Sequence, residues 1–258
     1  MKITNRYLQS FKFNFLITLL IASNVNVIIA TRMYLFFTPS HEQLFTEFFL
    51  PSLQDDYELV INRYEQISES AMYMQEGWNQ TVIKKIEMII NACKKNNGEI
   101  FLYSDVDIQF FKPTREVVFN IMANPNIDIV IQQDHPSGTA CTGFLACRAS
   151  ERTLLFWLQV RDIMLENIDQ HKGIDDQGAF NIAIHSQIEG LNIQWCFLPN
   201  TFMGPGMSIG TPWNPGNSLI IPKDIVMHHA NYTVGISNKI KQLKYVKSVV
   251  FKSVVLMK

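Results

Sequence analysis

The chain has 258 residues, enough for one large domain or two small ones, and its 47% hydrophobic content permits a sizeable core. A formal net charge of −1 gives no global field that would favour nucleic acid. The charge is unevenly placed: beyond Asp224 there is no acidic residue, whereas Lys239, Lys241, Lys244, Lys247, Lys252 and Lys258 punctuate the end. Cys93, Cys141, Cys147 and Cys196 form no CxxC pair and no zinc pattern, so they read as buried free thiols. A disulfide stays open only in an oxidising compartment.

At the N-terminus Lys2, Arg6 and Lys12 precede an apolar stretch, Phe13 to Ala30. This order predicts a signal peptide or uncleaved signal-anchor over residues 1–30, ahead of one domain over residues 31–258. Asn14, Thr18, Ser23, Asn24 and Asn26 make the stretch a poor membrane span, and a buried first element is the alternative. Membrane association would then run through the N-terminus. Targeting implies a secretory or Golgi-type lumen or membrane in a eukaryote, and a membrane-associated or exported protein in a bacterium or virus. In a eukaryotic lumen Asn79-Gln80-Thr81 and Asn231-Tyr232-Thr233 are formal glycosylation sites.

Next come a strand over Met33 to Phe37 and a turn at Thr38-Pro39-Ser40 that opens a helix through Phe49. YELVI predicts a second strand. NQTVIKKIEMIINACKK has helical apolar spacing, with Asn79 or Thr81 as its cap and Gly98 beyond its end. EIFLY reads as a strand buried on both faces, IQFF as another, and Pro113 opens a helix to about Met122. IDIVI, GFLAC and IQWCFL are further strands; ERTLLFWLQVRDIMLENI is an amphipathic helix, and DDQGAFNIAIHSQ begins another. Met203 to Asn217 is a Gly/Pro loop around Trp213, either a binding loop or a plain connector. The lysine-rich tail reads as a helix packed on the domain in preference to a membrane-surface segment. The alternation predicts an α/β fold with a mostly parallel sheet flanked by helices.

FLYSDVDIQFF, Phe101 to Phe111, places Asp105-Val106-Asp107 between two apolar runs. Two like charges beside a core are unfavourable unless a cation or proton compensates them, and removing one would relieve their repulsion. The pair follows a buried strand, and ligands of open α/β sheets bind outside the carboxyl ends of strands. Alternation sends Asp105 and Asp107 to one side, with Val106 inward. Paired carboxylates make a hard, oxygen-rich site suited to Mg2+ or Mn2+, ions that bridge protein carboxylates and substrate phosphates. Short acidic pairs are common on surfaces; the apolar flanks make this one informative.

Four blocks in order, YSDVDIQFF, CTGFLACRAS, DDQGAFN and HHANYTVGISNKIKQLK, resemble the nucleotide-diphospho-sugar transferases. This glycosyltransferase family includes plant cell-wall xylosyl- and arabinosyltransferases. The blocks span about Phe101 to Lys244, and LFFTPSH near the start fits too. The resemblance implies a GT-A, Rossmann-like fold, a nucleotide-sugar donor, Mn2+ or Mg2+, and transfer with retention. The acceptor, a glycan, protein or lipid, is not named by the sequence.

By that resemblance Asp105 and Asp107 match the DxD, with Asp107 the more direct metal ligand. His229 matches the late histidine that completes the metal site. Gly235 and Lys239 follow in the pattern of a diphosphate contact, against the alternative of one more lysine in a basic tail. Asp176 and Gln177 match an Asp-Gln step beside the anomeric carbon, where a carboxylate stabilises an oxocarbenium-like centre or attacks it. The resemblance does not separate Asp175 from Asp176, one of them being a candidate helix cap. Thr142 and Gly143 occupy the place of the family's Asn-Thr-Gly, with Cys141 replacing the Asn. Asp134 is a candidate contact to donor-sugar hydroxyls or a turn former. Lys85 is a candidate phosphate contact or part of a solvated helix face. Two rival readings are a haloacid-dehalogenase-like phosphatase, which also carries DxD after an apolar strand, and a catalytically inactive sugar-binding protein.

Overall fold

The structure is a computed structural model that describes residues 30–67, 77–134, 138–169, 174–186, 190–204 and 213–255. One compact unit runs over Thr31–Lys258. The apolar stretch on which the targeting expectation rests lies outside the described residues except for Ala30. Among the described residues no helix is long and apolar enough to cross a membrane.

The chain opens with β1 (Arg32–Phe37), a helical run over 39–52 (α1) and β2 (Glu58–Arg63). Then follow α2 (Trp78–Lys95), β3 (Ile100–Ser104), β4 (Ile108–Phe110), α3 (Arg115–Met122), β5 (Ile129–Gln133) and β6 (Ala140–Arg148). The last part holds α4 (Glu151–Asp169), α5 (Asp176–His185), β7 (Trp195–Phe197), β8 (Phe202–Met203), β9 (Met227–His229) and α6 (Ile236–Val255). Among the described residues the strands form a six-stranded sheet, β2-β1-β3-β6-β5-β7, and a three-stranded sheet, β4-β9-β8. In the large sheet β1 runs parallel to β2 and β3, and β5 parallel to β7, while β6 is antiparallel to both its neighbours. The sheet is therefore mostly parallel, with one reversed strand.

Both faces of the large sheet are covered at β1, β3, β5 and β6, which is why these strands are largely apolar runs, whereas the edge strand β2 mixes exposed and half-buried residues. Period-two alternation divides the covered strands. Tyr34, Phe101, Tyr103, Ile129, Ile131 and Leu145 face a layer that includes Ile86 and Ile89 of α2, Trp157 of α4 and Phe180 of α5. Met33, Leu35, Leu102, Val130 and Phe144 face the opposite layer, where Phe45 and Phe49 of α1, Val118 of α3 and Phe110, Phe202 and Met227 of the small sheet meet them.

Local details differ from the sequence expectations at three helix ends. Neither Asn79 nor Thr81 caps α2: Gly77, at φ 81°, is the N-cap, and the Thr81 hydroxyl donates back to its carbonyl at 2.8 Å. The helix after Pro113 begins at Arg115, because its first amides are capped from afar. The Thr114 N–H donates to Asp55 Oδ2 at 2.7 Å and the Arg115 N–H to Oδ1 at 3.3 Å. The first helix continues past Phe49 to Ser52 through a π-turn at Phe45–Phe49.

Other expectations match. All four cysteines are free thiols, buried at Cys93, Cys141 and Cys147. The tail is a packed helix: Leu243 is fully buried beside Leu44, Phe48 and Ala230, and Lys241, Lys244, Lys247 and Lys252 stay exposed. Of the Gly/Pro loop, residues 205–212 lie outside the described residues; Trp213 is buried and its indole N–H donates to the Asn217 carbonyl at 3.0 Å.

Candidate active site

Asp105-Val106-Asp107 is the step by which the chain leaves the large sheet at Ser104 and enters the small one at Ile108. Val106 packs into the core on the α1 side. The Asp105 N–H donates to the Gly143 carbonyl at 2.7 Å, which ties the step to β6. The antiparallel pairing of β4 with β9 sets Ile108 opposite His229, and the Ala230 N–H donates to the Asp107 carbonyl at 2.9 Å. Strand pairing thus delivers the histidine to the carboxylates.

His229 Nε2 lies 3.3 Å from Asp107 Oδ1 and 3.8 Å from Asp105 Oδ2. Its other nitrogen faces Gln132 Oε1 at 3.0 Å. The Gln132 amide nitrogen is already committed to the Phe202 carbonyl at 3.1 Å, so its oxygen must accept from His229 Nδ1–H. Nε2 is left to face the carboxylates, the orientation in which an imidazole could join them around a cation. The ligand atoms of Asp105, Asp107 and His229 lie within 4.8 Å of one another. Two carboxylates and an imidazole are a donor set that fits a divalent ion such as Mn2+ or Mg2+. Gly143 makes room for the histidine, since a Cβ there would stand 2.1 Å from the ring's Cε1.

Two lysines offset part of the carboxylate charge. Lys239 forms an ion pair with Asp107 Oδ2 at 2.5 Å and donates to the Ala230 carbonyl at 2.8 Å. Lys85 contacts Asp105 at 3.2 Å and Asp176 at 2.8 Å, and lies 4.8 Å from the centroid of the Tyr103 ring. Burial works against the Lys85 ammonium, but Asp105 and Asp176 outweigh it and its pKa is raised. Lys85 is therefore no part of a solvated helix face; it is buried and held by carboxylates. Burial pushes the Asp105 carboxyl up despite Lys85. At Asp107 burial is overcome by Lys239 and His229, which hold the carboxyl well below the usual range. At Asp176 burial is likewise overcome, by Lys85 and the Thr142 hydroxyl, and the carboxyl is lowered.

The doubled acid separates into two roles. Asp175 is the N-cap of α5, accepting from the Gly178 N–H at 2.7 Å. Asp176, in the first turn, is buried against Lys85 and Thr142. Gln177 follows, its amide nitrogen on Asp134 Oδ2 and on the Tyr232 hydroxyl at 2.9 Å. Asp134 is buried behind Gln177 and is engaged by Gln177, Tyr232 and Asn231. Asp105, Asp107, Thr142, Gly143, Asp176, Gln177, His229, Gly235, Lys239 and Lys85 all line one cavity of about 470 Å3, and Asp134 lies outside its lining.

A profile of the nucleotide-diphospho-sugar transferase family matches residues 53–243. The chain belongs to that family. A solved structure agrees on the fold of the transferase. A glycosyltransferase involved in the glycosylation of the major capsid of PBCV-1 aligns with a TM-score of 0.57 at 14% identity, covering 83% of this chain and 99% of that one. Mouse xyloside xylosyltransferase 1 in its apo form aligns with a TM-score of 0.44 at 10% identity, covering 79% and 98%. A comparison with curated proteins returns no match. By family and fold the transferase is a nucleotide-sugar glycosyltransferase of GT-A architecture.

The sequence does not single out Gln132, Tyr103, Tyr232 or His41 of the transferase, although each borders the site. Gln132 carries the one usable signal, a polar residue ending an apolar strand run. Asn231, a formal glycosylation site, donates its side-chain amide to Asp134 Oδ1 at 2.7 Å, so attaching a glycan there would dismantle this contact.

Proposed function

We propose that the transferase moves a sugar from a nucleotide-diphospho-sugar to a glycan, protein or lipid acceptor, with metal dependence and with retention at the anomeric carbon. The observation that carries this reading is the meeting of the Asp105, Asp107 and His229 donor set with Asp176 and Gln177 in one cavity. A divalent ion on those three residues would supply positive charge to the donor's diphosphate. Lys239 and the N-terminal amides of α6, which starts after Gly235 at φ 84°, face the same cavity and suit the remaining phosphate charge.

Asp176 and Gln177 act at the reacting carbon. The Asp176 oxygen is paired with Lys85 and accepts from Thr142, which suits electrostatic support of a developing positive charge better than nucleophilic attack. The phosphatase reading needs a free nucleophile at Asp105, whereas the Tyr103 hydroxyl and Lys85 hold that carboxylate. Residues 1–30 serve targeting, to a secretory lumen or membrane in a eukaryote and to a membrane or export route otherwise.

The test is a panel of sugar nucleotides incubated with purified protein and Mn2+, with and without EDTA. Release of nucleoside diphosphate in Mn2+ and its loss in EDTA support the reading. Full release in excess EDTA overturns the metal dependence. Donor binding without release would mark an inactive sugar-binding protein.

A further inference from the structure

The side chains behind Gln177 fix which end of its carboxamide meets the cavity. The Gln177 amide nitrogen contacts Asp134 Oδ2 and, at 2.9 Å, the Tyr232 hydroxyl oxygen. A carboxylate only accepts, so the end facing it is the NH2. The Tyr232 hydroxyl donates its single proton to the same Oδ2 at 2.6 Å, which leaves it a lone pair for the second amide proton. Both N–H bonds of Gln177 point into this clamp. The carbonyl oxygen is the end left for the cavity that Gln177 lines.

The clamp is itself anchored. Asn231 Nδ2 donates to Asp134 Oδ1 at 2.7 Å, the Asp134 N–H to the Thr139 carbonyl at 2.8 Å, and the Trp213 N–H to the Tyr232 carbonyl at 3.1 Å. Tyr232 sits at φ 48°, a left-handed conformation that bulky residues rarely adopt. Such strain persists where surrounding bonds over-determine it, and it gathers at functional sites.

We propose that Asp134 and Tyr232 are positioning residues that set the polarity of Gln177, holding its carbonyl oxygen rather than its NH2 toward the reacting carbon. This role rests on the transfer reaction proposed above. An electron-rich oxygen favours positive charge developing at the anomeric carbon, and an NH2 in its place opposes it. A carboxamide turned by half a rotation fills the same space. The clamp therefore decides the sign of the group presented, not its shape.

The test compares the full chain with its Tyr232→Phe and Asp134→Asn variants by two readouts. The first is the split between kcat for nucleoside diphosphate release and donor Kd. Each variant is expected to lose about tenfold or more in kcat with donor Kd changed by less than about twofold, because the charge appears only in the transition state. The second needs no turnover: the side-chain amide protons of Gln177, assigned in a 15N spectrum by their loss in Gln177→Glu. Two protected amide protons are expected in the wild type, with protection of one of them lost in Tyr232→Phe and the other kept by Asp134. Wild-type kcat in both variants, or kcat and donor affinity falling together, overturns the proposal. So does a freely exchanging Gln177 amide in an active wild type. A protected amide in a wild type that releases no nucleoside diphosphate overturns the transfer reaction instead and supports the clamp geometry.

Discussion

Gly143 and His229 occupy space that a single added carbon would contest: a Cβ at position 143 would lie 2.1 Å from Cε1 of the imidazole and 2.6 Å from Nδ1. Gly143→Ala must therefore move the ring or the strand. Overpacking of this kind costs about 1–3 kcal/mol. The variant is expected to melt lower and to bind Mn2+ at least about tenfold more weakly, because the displaced Nε2 leaves the donor set. Electron paramagnetic resonance titration of free Mn2+ measures this directly. Unchanged affinity would mean that His229 is no ligand.

Lys85→Met tests what compensates the acidic cluster. The ammonium is buried and touches both Asp105 and Asp176. Removing one partner of a buried ion pair leaves uncompensated charge and costs about 3–5 kcal/mol. Urea unfolding in EDTA at neutral pH should show a loss of that order. A loss below about 1 kcal/mol would show that Lys85 is not the cation that holds the cluster together.

Asp107→Asn is expected to abolish turnover by orders of magnitude while the protein stays folded. The sequence suggests that removing one of two like charges relieves repulsion. The structure reverses that expectation, because Asp107 is paired with Lys239 at 2.5 Å and its loss strands the ammonium. Calorimetry of the metal-free variant should show lower stability. Higher stability would show that repulsion between the aspartates dominates after all.

The layered α/β fold was legible because the inner strands of the large sheet are short apolar runs and the long helices have an apolar face; Met227-His228-His229 of β9 carries no such pattern. The direction of β6 was not legible, since a run buried on both faces reads the same either way. Asp105 and Asp107 announced themselves by their apolar flanks. Lys85 did not, because a lysine on an amphipathic helix reads as solvated unless one knows that Asp105 and Asp176 lie opposite. The Gly143–His229 approach and the Tyr232 clamp depend on β6 and β9 meeting in space. A local pattern carries no trace of such a meeting.

His41 provides a pH signature. It lines the cavity, and burial, with Lys239 nearby, lowers its pKa from 6.5 to about 4 despite Asp107. Above pH 6.5 both folded and unfolded states are neutral there. As pH falls from 6.5 to 4 the unfolded state takes up a proton that the folded state refuses, so stability falls, by up to about 3 kcal/mol. His41→Gln lacks this group. Its stability loss between those pH values should be shallower than that of the wild type, measured by urea unfolding across the range. Parallel curves would show that His41 does not resist protonation.

Asp175 and Asp176 are adjacent in sequence but differ in role, and the difference is measurable. Asp175 Oδ1 accepts from the Gly178 N–H and closes the start of α5, so Asp175→Ala should cost about 1 kcal/mol and leave turnover mostly intact. Asp176 makes no such cap; its carboxylate is buried beside Lys85, Thr142 and the cavity. Asp176→Ala should lower kcat far more than donor affinity, because the proposed function assigns donor binding to Asp105, Asp107, His229, Lys239 and the start of α6. Asp176→Asn keeps the shape and removes the charge, which separates electrostatics from packing. If it retains wild-type kcat, the negative charge at position 176 is not used in the reaction. If Asp175→Ala proves to be the inactive variant, the assignment of the two carboxylates is reversed.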